Sequence, residues 1–210
     1  MIFCYNKAHV GDVLMVIVAD STGHEVEVER RGSVARVFET QTNTTFAWNI
    51  FNVSTLLEDF SGNGQVFLSE EQIKRLNAEL KNEGFGEELC ADNSPKFVIG
   101  YVKELKAHED SDHLNIAQVE VDNGEVLQIV AGAPNIEQGQ FVVVAKPGAM
   151  MPDGSIIWPG ELRGVASFGM LCSARELQLP NAPQVRGILV LDASKVKAGE
   201  VFDKNLHWHM

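Results

Sequence analysis

Residues 163–177 read Arg163-Gly164-Val165-Ala166-Ser167-Phe168-Gly169-Met170-Leu171-Cys172-Ser173-Ala174-Arg175-Glu176-Leu177, and this stretch decides the fold. It brings two glycines, two serines, a methionine and a cysteine into an otherwise ordinary acidic chain. Small residues let a segment lie close to its neighbours, and the methionine and the leucines can fill irregular gaps in a core. We therefore expect this segment to pack tightly against a small β-structure.

Short strands separated by turn residues precede this segment, as in a small barrel. Gly100 is expected to mark a bend in a long strand, and a β-bulge near Ala117 accounts for a slip in the apolar alternation. Asn123-Gly124 predicts a two-residue hairpin turn. The pattern predicts strands at 97–107, 114–121, 127–131 and 141–145.

The stretch from Arg163 to Leu177 resembles the R-G-x-x-S-x-G-M-x-C-S-A-x-E-L signature of the EMAP-II-like tRNA-binding domain. Other segments are similar to the same family, although Glu109 and His113 replace its usual proline and lysine. The resemblance covers roughly residues 90–202, and a chain with one added N-terminal domain is most similar to the YtpR group. The other matching segments are 108–114, 129–136, 146–149 and 187–191.

This resemblance implies a five-stranded oligonucleotide-binding (OB) barrel with a short helix, closed by a strand at 187–191. Such barrels bind oligonucleotides, and the family binds tRNA without catalysis. The expected fold class is mostly β, with two domains at 1–88 and 89–202.

The N-terminal domain, 1–88, is predicted to be a small α+β domain with an antiparallel sheet and one helix. Val10–Ala19 is an apolar run of strand length, and His24–Glu29 alternates so that Val26 and Val28 share one face. Thr45–Phe51 places Phe46, Trp48 and Ile50 on one face. Ser69 and Gln72 predict a capping box before an amphipathic helix. A linker is expected over 82–95.

Composition points to a reduced, cytoplasmic protein. The chain has 210 residues, of which 45% are hydrophobic, and this suffices for one or two cores. It contains no apolar run long enough for a membrane span, and its start is unlike a signal peptide. Three widely spaced cysteines argue against a disulfide framework and a zinc site. No cofactor, metal or enzymatic activity is expected.

The net charge of −12 opposes the RNA-binding interpretation, because phosphate contacts need basic side chains. Residues 1–94 carry 15 acidic and 7 basic side chains, a net charge of −8, and residues 95–210 carry 14 and 10, a net charge of −4. A local cluster of basic residues can still bind RNA, since salt screens charges beyond about 8 Å. The alternative is a protein-interaction adaptor whose barrel has lost most of its RNA affinity. Convergence on one face would favour RNA binding; the relevant residues are Lys103, Lys106, Lys146, Arg163 and Arg175.

The expected partner is tRNA or another structured RNA, with a homodimer as a second possibility and no membrane. Arg163 is the strongest candidate contact because a guanidinium binds phosphate with a fork of donors, although an ion pair with Glu161 is the alternative. Asn135 could read a base edge or only fix the turn at Pro134. The other candidates for RNA contact are His108, His113, Lys146, Ser167, Met170 and Ser173. Cys172 is not expected to be a nucleophile, and no catalytic or metal-binding residue is predicted.

Overall fold

The computed structural model describes residues 1–58 and 60–208, and for Asn123 the backbone alone. The chain divides into two compact units, Met1–Ser94 and Pro95–Met210. This division lies later than the predicted boundary between 88 and 89, because Leu89 is buried in the core of the first unit. Asn77 holds that segment through two hydrogen bonds to the Leu89 backbone.

The first unit is a six-stranded antiparallel sheet with two helices. Its strand order is β3-β4-β5-β2-β1-β6. The strands are β1 (Ile2–Asn6), β2 (Val13–Ile17), β3 (Val26–Arg31), β4 (Val34–Glu39), β5 (Thr45–Phe51) and β6 (Asn63–Val66). The helices are α1 (Val53–Leu56) and α2 (Glu70–Asn82).

Strand β5 and helix α2 follow the sequence prediction closely. Phe46, Trp48 and Ile50 are all buried, so the predicted apolar face of β5 is confirmed. The Ser69 hydroxyl accepts from the backbone of Gln72, and the Gln72 side chain accepts from the backbone of Ser69. This capping box satisfies two backbone donors that the first turn of a helix leaves free. No helix in the described ranges is long and apolar enough to cross a membrane.

Strand β3, at the edge of this sheet, leaves its apolar side chains exposed. The alternation in β3 is present, but Val28 remains 66% exposed and Val26 is also exposed. Strand β3 pairs with β4 alone, so few neighbours cover its side chains. The apolar run at 10–19 forms only the shorter strand β2, because a turn occupies the residues before Gly11.

The second unit is an OB barrel. Its main sheet has the order β13-β10-β7-β8-β9, strand β14 pairs with β10, and β11 and β12 form a separate hairpin. The strands are β7 (Phe97–Ala107), β8 (Asn115–Glu120), β9 (Val126–Ala131), β10 (Phe141–Ala145), β11 (Gly160–Leu162), β12 (Val165–Ser167), β13 (Met170–Leu171) and β14 (Val190–Leu191). A 3-10 helix at Asp122–Gly124 and helix α3 (Lys204–His207) complete the unit.

The barrel closes along a seam between β9 and the segment that leads into β13. The backbone N–H of Phe168 donates to the Gln128 carbonyl at 2.8 Å. The N–H of Val130 donates to the Ser167 hydroxyl at 3.1 Å. At this position the Ser167 hydroxyl oxygen takes the place of a backbone carbonyl as the hydrogen-bond acceptor. The nearly closed five-stranded barrel confirms the predicted fold class.

Two local predictions inside the barrel are wrong, and the expectation for Gly100 gains a second reason. Gly100 lies where β7 passes from pairing with β10 to pairing with β8, and a methyl group there would lie 2.6 Å from both Val119 and Val144. The predicted bulge at Ala117 instead occurs on β7, between Val102 and Glu104, because Ala117 is buried in regular alternation with Val119. The predicted two-residue turn at Asn123-Gly124 is part of the longer loop that contains the 3-10 helix.

Candidate nucleic-acid interface

Two loops meet at one end of the barrel: the β7–β8 loop, 108–114, and the β11–β12 hairpin. His108 joins them and is only 4% exposed. Its Nδ1 accepts from the Asp110 backbone N–H at 3.0 Å, and its Nε2 lies 3.3 Å from the Leu162 carbonyl oxygen. Since Nδ1 accepts, Nε2 carries the hydrogen and donates. His108 therefore connects the two loops, and both of its ring nitrogens have partners inside the protein.

Arg163 lies at the tip of the hairpin, where Leu162 pairs with Val165. Arg163 and Gly164 have φ angles of 48° and 77°, and two positive φ angles define a type I′ hairpin turn. The Arg163 Nη1 donates to the Asp110 carbonyl at 2.8 Å. No ion pair joins Arg163 to Glu161 within the described ranges, so the remaining guanidinium N–H groups stay available at the surface.

Ser167 and Asn135, both candidates for RNA contact, form hydrogen bonds that hold the barrel together. The Ser167 hydroxyl is 5% exposed and accepts from Val130. The Asn135 amide donates to the Ile188 carbonyl at 3.0 Å and accepts from the Ile188 N–H at 2.9 Å. This pair of bonds ties the loop after β9 to the segment that leads into β14.

Ser173 is buried and also has a structural role. Its hydroxyl accepts from the backbone N–H of Glu176 at 3.1 Å, while the Glu176 carboxylate accepts from the Ser173 N–H at 2.8 Å. This reciprocal pair has the form of a capping box. It fixes the turn that carries Arg175, and Ser173 also lines the cleft described below.

Two further candidates are paired with carboxylates. Lys146 is largely buried and donates to Asp122. His113 lies at the surface, with its Nδ1 2.9 Å from Asp112, and its hydrogen bond lowers the pKa of the Asp112 carboxyl. Among the described residues, no three His, Cys, Asp or Glu side chains are placed to hold a metal ion.

The other predicted lysines are paired as well. The Lys103 ammonium lies 3.1 Å from Glu120, and the Lys106 ammonium lies 3.6 Å from Glu104. Lys103, Lys106 and Lys146 are therefore each paired with a carboxylate, and they do not form a patch of unpaired lysines beside the arginines.

A cleft of about 310 Å³ lies beside the two loops and carries two arginines. Arg175 and Arg186 both line it and are exposed. Neither forms an ion pair with a residue that the structure describes. Met170 and Ile188 supply apolar lining. In the sequence, Arg175 and Arg186 are two of several basic residues. The fold brings them together on this cleft, and this shared position makes them candidate site residues.

The cleft and the hairpin both adjoin the 108–114 loop. Gly132 lines the cleft, and a methyl group on it would lie 3.2 Å from Leu114 and 3.8 Å from the His113 carbonyl. The cleft wall therefore adjoins the 108–114 loop, to which Arg163 is bonded. We call the set Arg163, Arg175 and Arg186 the arginine edge.

Cys172 is not accessible to reagents in the folded protein. It is fully buried, and burial, with a smaller contribution from the Glu176 charge, raises the pKa of its thiol to about 12. The thiolate is the nucleophilic form of cysteine, so it is scarcely populated at neutral pH. Cys4 is also buried, and burial raises the pKa of its thiol, whereas Cys90 is exposed.

We expect a disulfide reagent such as dithionitrobenzoate, at about pH 8, to modify Cys90 rapidly and Cys4 and Cys172 only after unfolding. At this pH a thiol with a pKa of about 12 is ionised in roughly one molecule in ten thousand. Peptide mass mapping identifies the modified cysteine, and a Cys90→Ser variant is the control. Rapid modification of Cys172 in the folded protein would contradict its burial.

The geometry defines a class: an OB barrel with Arg163 at the tip of its β11–β12 hairpin and with Arg175 and Arg186 on a neighbouring cleft. Residues 97–200 match the family described as "Putative tRNA binding domain", and residues 21–92 match "Domain of unknown function (DUF4479)". The chain is 48% identical over 198 residues to "Putative tRNA-binding protein YtpR" of Bacillus subtilis (strain 168), covering 94% of this chain and 97% of that protein. The chain therefore belongs to the YtpR family, as its sequence resemblance predicted.

Parts of larger proteins are similar as well. The phenylalanine–tRNA ligase beta subunit of Campylobacter jejuni (strain RM1221) is 52% identical over 99 residues, which cover 47% of this chain and 12% of that subunit. The corresponding subunit of Oceanobacillus iheyensis is 47% identical over 109 residues, covering 50% of this chain and 13% of the subunit. A segment related to half of this chain is thus one small part of these ligases.

Proposed function

We propose that the barrel binds tRNA, or a similarly structured RNA, through the arginine edge and performs no chemistry on it. The observation that carries this proposal is the arginine edge itself: three exposed arginines with no carboxylate partner among the described residues. A guanidinium binds phosphate with two parallel donors. In OB barrels the loops after the first and fourth strands line the oligonucleotide site, and Arg163 stands where these loops meet.

The pairing of lysines with carboxylates supports a small number of phosphate contacts. The net charge of −12 favoured the adaptor alternative, but net charge does not describe the arginine edge. Arg163 gives one donor to the Asp110 carbonyl, and no other described residue accepts from the side chains of Arg163, Arg175 or Arg186. The buried Cys172 supports a non-catalytic role. We place the protein in the cytoplasm, and a homodimer would present two arginine edges to one RNA.

Binding to total tRNA is expected to weaken with salt, with a slope of log K on log salt of about −2 to −3. This range follows from about three neutralised phosphates at −0.7 to −0.9 each. Fluorescence anisotropy of labelled tRNA over a series of potassium chloride concentrations measures the slope.

A DNA duplex of similar length serves as the competitor in the same titration. Preferential binding of tRNA supports a shaped RNA site, because every duplex offers phosphates. Equal affinity for both polymers, or no binding of tRNA at low salt, would overturn the proposed function.

A further inference from the structure

The outer face of β8 and β9 carries an ordered pair of amides. Ala117 and Val119 on β8 and Ile129 on β9 are buried in the barrel core, so strand alternation places Gln118 and Gln128 on the opposite, outer face. The two residues are direct partners in the strand register. The Gln118 Nε2 donates to the Gln128 Oε1 at 2.9 Å.

Phe168 lies beside this amide pair. Its backbone N–H donates to the Gln128 carbonyl at 2.8 Å, which places the two residues side by side across the seam. The Gln128 Nε2 donates to the Ala166 carbonyl at 2.8 Å, so the amide is anchored to the same segment. The neighbouring Ser167 turns inward and is buried, whereas Phe168 is 41% exposed. A phenyl ring is thus held at the surface by a rigid part of the barrel.

We propose that Phe168 and Gln118 form a seat for one unpaired nucleobase of the bound RNA. The base stacks on the Phe168 ring, and the Gln118 Oε1, which no described residue bonds, accepts from a ring N–H or an exocyclic amine at the base edge. This inference rests on the proposed function. It adds a contact to a base, in addition to the phosphate contacts that we propose for the arginine edge.

The chemistry of the two groups favours an unpaired base over other ligands. An exposed aromatic ring offers stacking to any base, because every base has a π-face. The outer face of the second and third strands is where OB barrels bind oligonucleotides, and β8 and β9 are those strands. A base inside a duplex has neither its face nor its edge free, so the seat requires a single-stranded position.

The test compares Phe168→Leu with Phe67→Leu in the full chain, using a labelled short oligoadenylate and total tRNA. Phe67 is a matched control because it is an exposed phenylalanine, at 65%, in the first unit. Phe168→Leu should weaken oligoadenylate binding about tenfold, and Phe67→Leu should leave it unchanged. Since stacking neutralises no phosphate, the salt slope should stay that of the parent. Phe168→Trp should restore the affinity.

The outcomes separate this inference from the proposed function. If Phe168→Leu binds both RNAs like the parent while the parent binds tRNA with the expected salt slope, the seat does not exist and tRNA binding stands. The inference is also overturned if Phe168→Leu and Phe168→Trp lose affinity equally, because the ring then has a structural role. A parent protein that binds neither RNA overturns both proposals.

Discussion

Replacing Arg175 and Arg186 together by alanine is expected to weaken tRNA binding about a hundredfold at about 0.1 M salt. Both side chains line the same cleft and lack ion-pair partners among the described residues, so both are free to bind phosphate. A loss of roughly 1.4 kcal/mol for each arginine gives this factor. With two fewer phosphate contacts, the salt slope should become shallower by about 1.5. Anisotropy titrations at several salt concentrations measure both quantities.

The control is the double variant Lys195→Ala with Lys197→Ala, which changes the net charge by the same amount. Both lysines are exposed and follow β14, and Lys195 is 3.5 Å from Asp192. This variant should bind within about twofold of the parent, because salt screens charges far from the RNA. An equal loss in both double variants would mean that net charge, and not the arginine edge, controls binding. Circular dichroism verifies that each variant is folded.

Gly169→Ala is expected to destabilise the barrel by about 3 kcal/mol. Gly169 has a φ of 134°, which a residue with a side chain rarely adopts, and an added methyl group would lie 2.8 Å from the Ala145 carbonyl oxygen. Both problems occur at the seam that closes the barrel, beside β10. Thermal unfolding followed by circular dichroism and calorimetry measures the change.

Gly160→Ala is the matched control for this experiment. Gly160 begins the β11–β12 hairpin, its φ is not positive, and an added methyl group meets no atom within 4 Å. Its melting temperature should stay close to that of the parent protein. A Gly169→Ala protein with the parent's melting temperature would contradict the predicted clash and strain.

Local patterns in the sequence were sufficient for much of the fold. The alternation in β5 and the capping box at Ser69 depend on residues within a few positions of each other, and both were predicted correctly. The shared face of Val26 and Val28 in β3 was also predicted, but alternation gives only the direction of a side chain and not whether another layer covers it, and Val28 is exposed. Gly100 illustrates the same limit, since the groups that require its small size, Val119 and Val144, come from other strands.

The candidate site was harder to predict because polar side chains choose partners far away in the sequence. His108 bonds a carbonyl 54 residues later, and Asn135 bonds a backbone 53 residues later. Lys146 finds Asp122 24 residues earlier. The sequence shows which groups can bind RNA, but only the fold shows which of them are already occupied. Arg163 is the predicted phosphate ligand that keeps free donors, and whether it contacts RNA stays a prediction.

The pairing of Lys103 and Lys146 with carboxylates has a consequence for how an RNA first meets this protein. If the arginine edge is the RNA site, an approaching polyanion is repelled by most of an acidic surface and attracted toward three arginines that form no ion pair with a described residue. Encounters in other orientations are therefore short-lived, and the RNA is guided toward one end of the barrel before any close contact forms. A protein with many free lysines would hold nucleic acid in many orientations. On the proposed site, the acidic charge would restrict binding to one geometry and so contribute selectivity, while the arginines would contribute affinity.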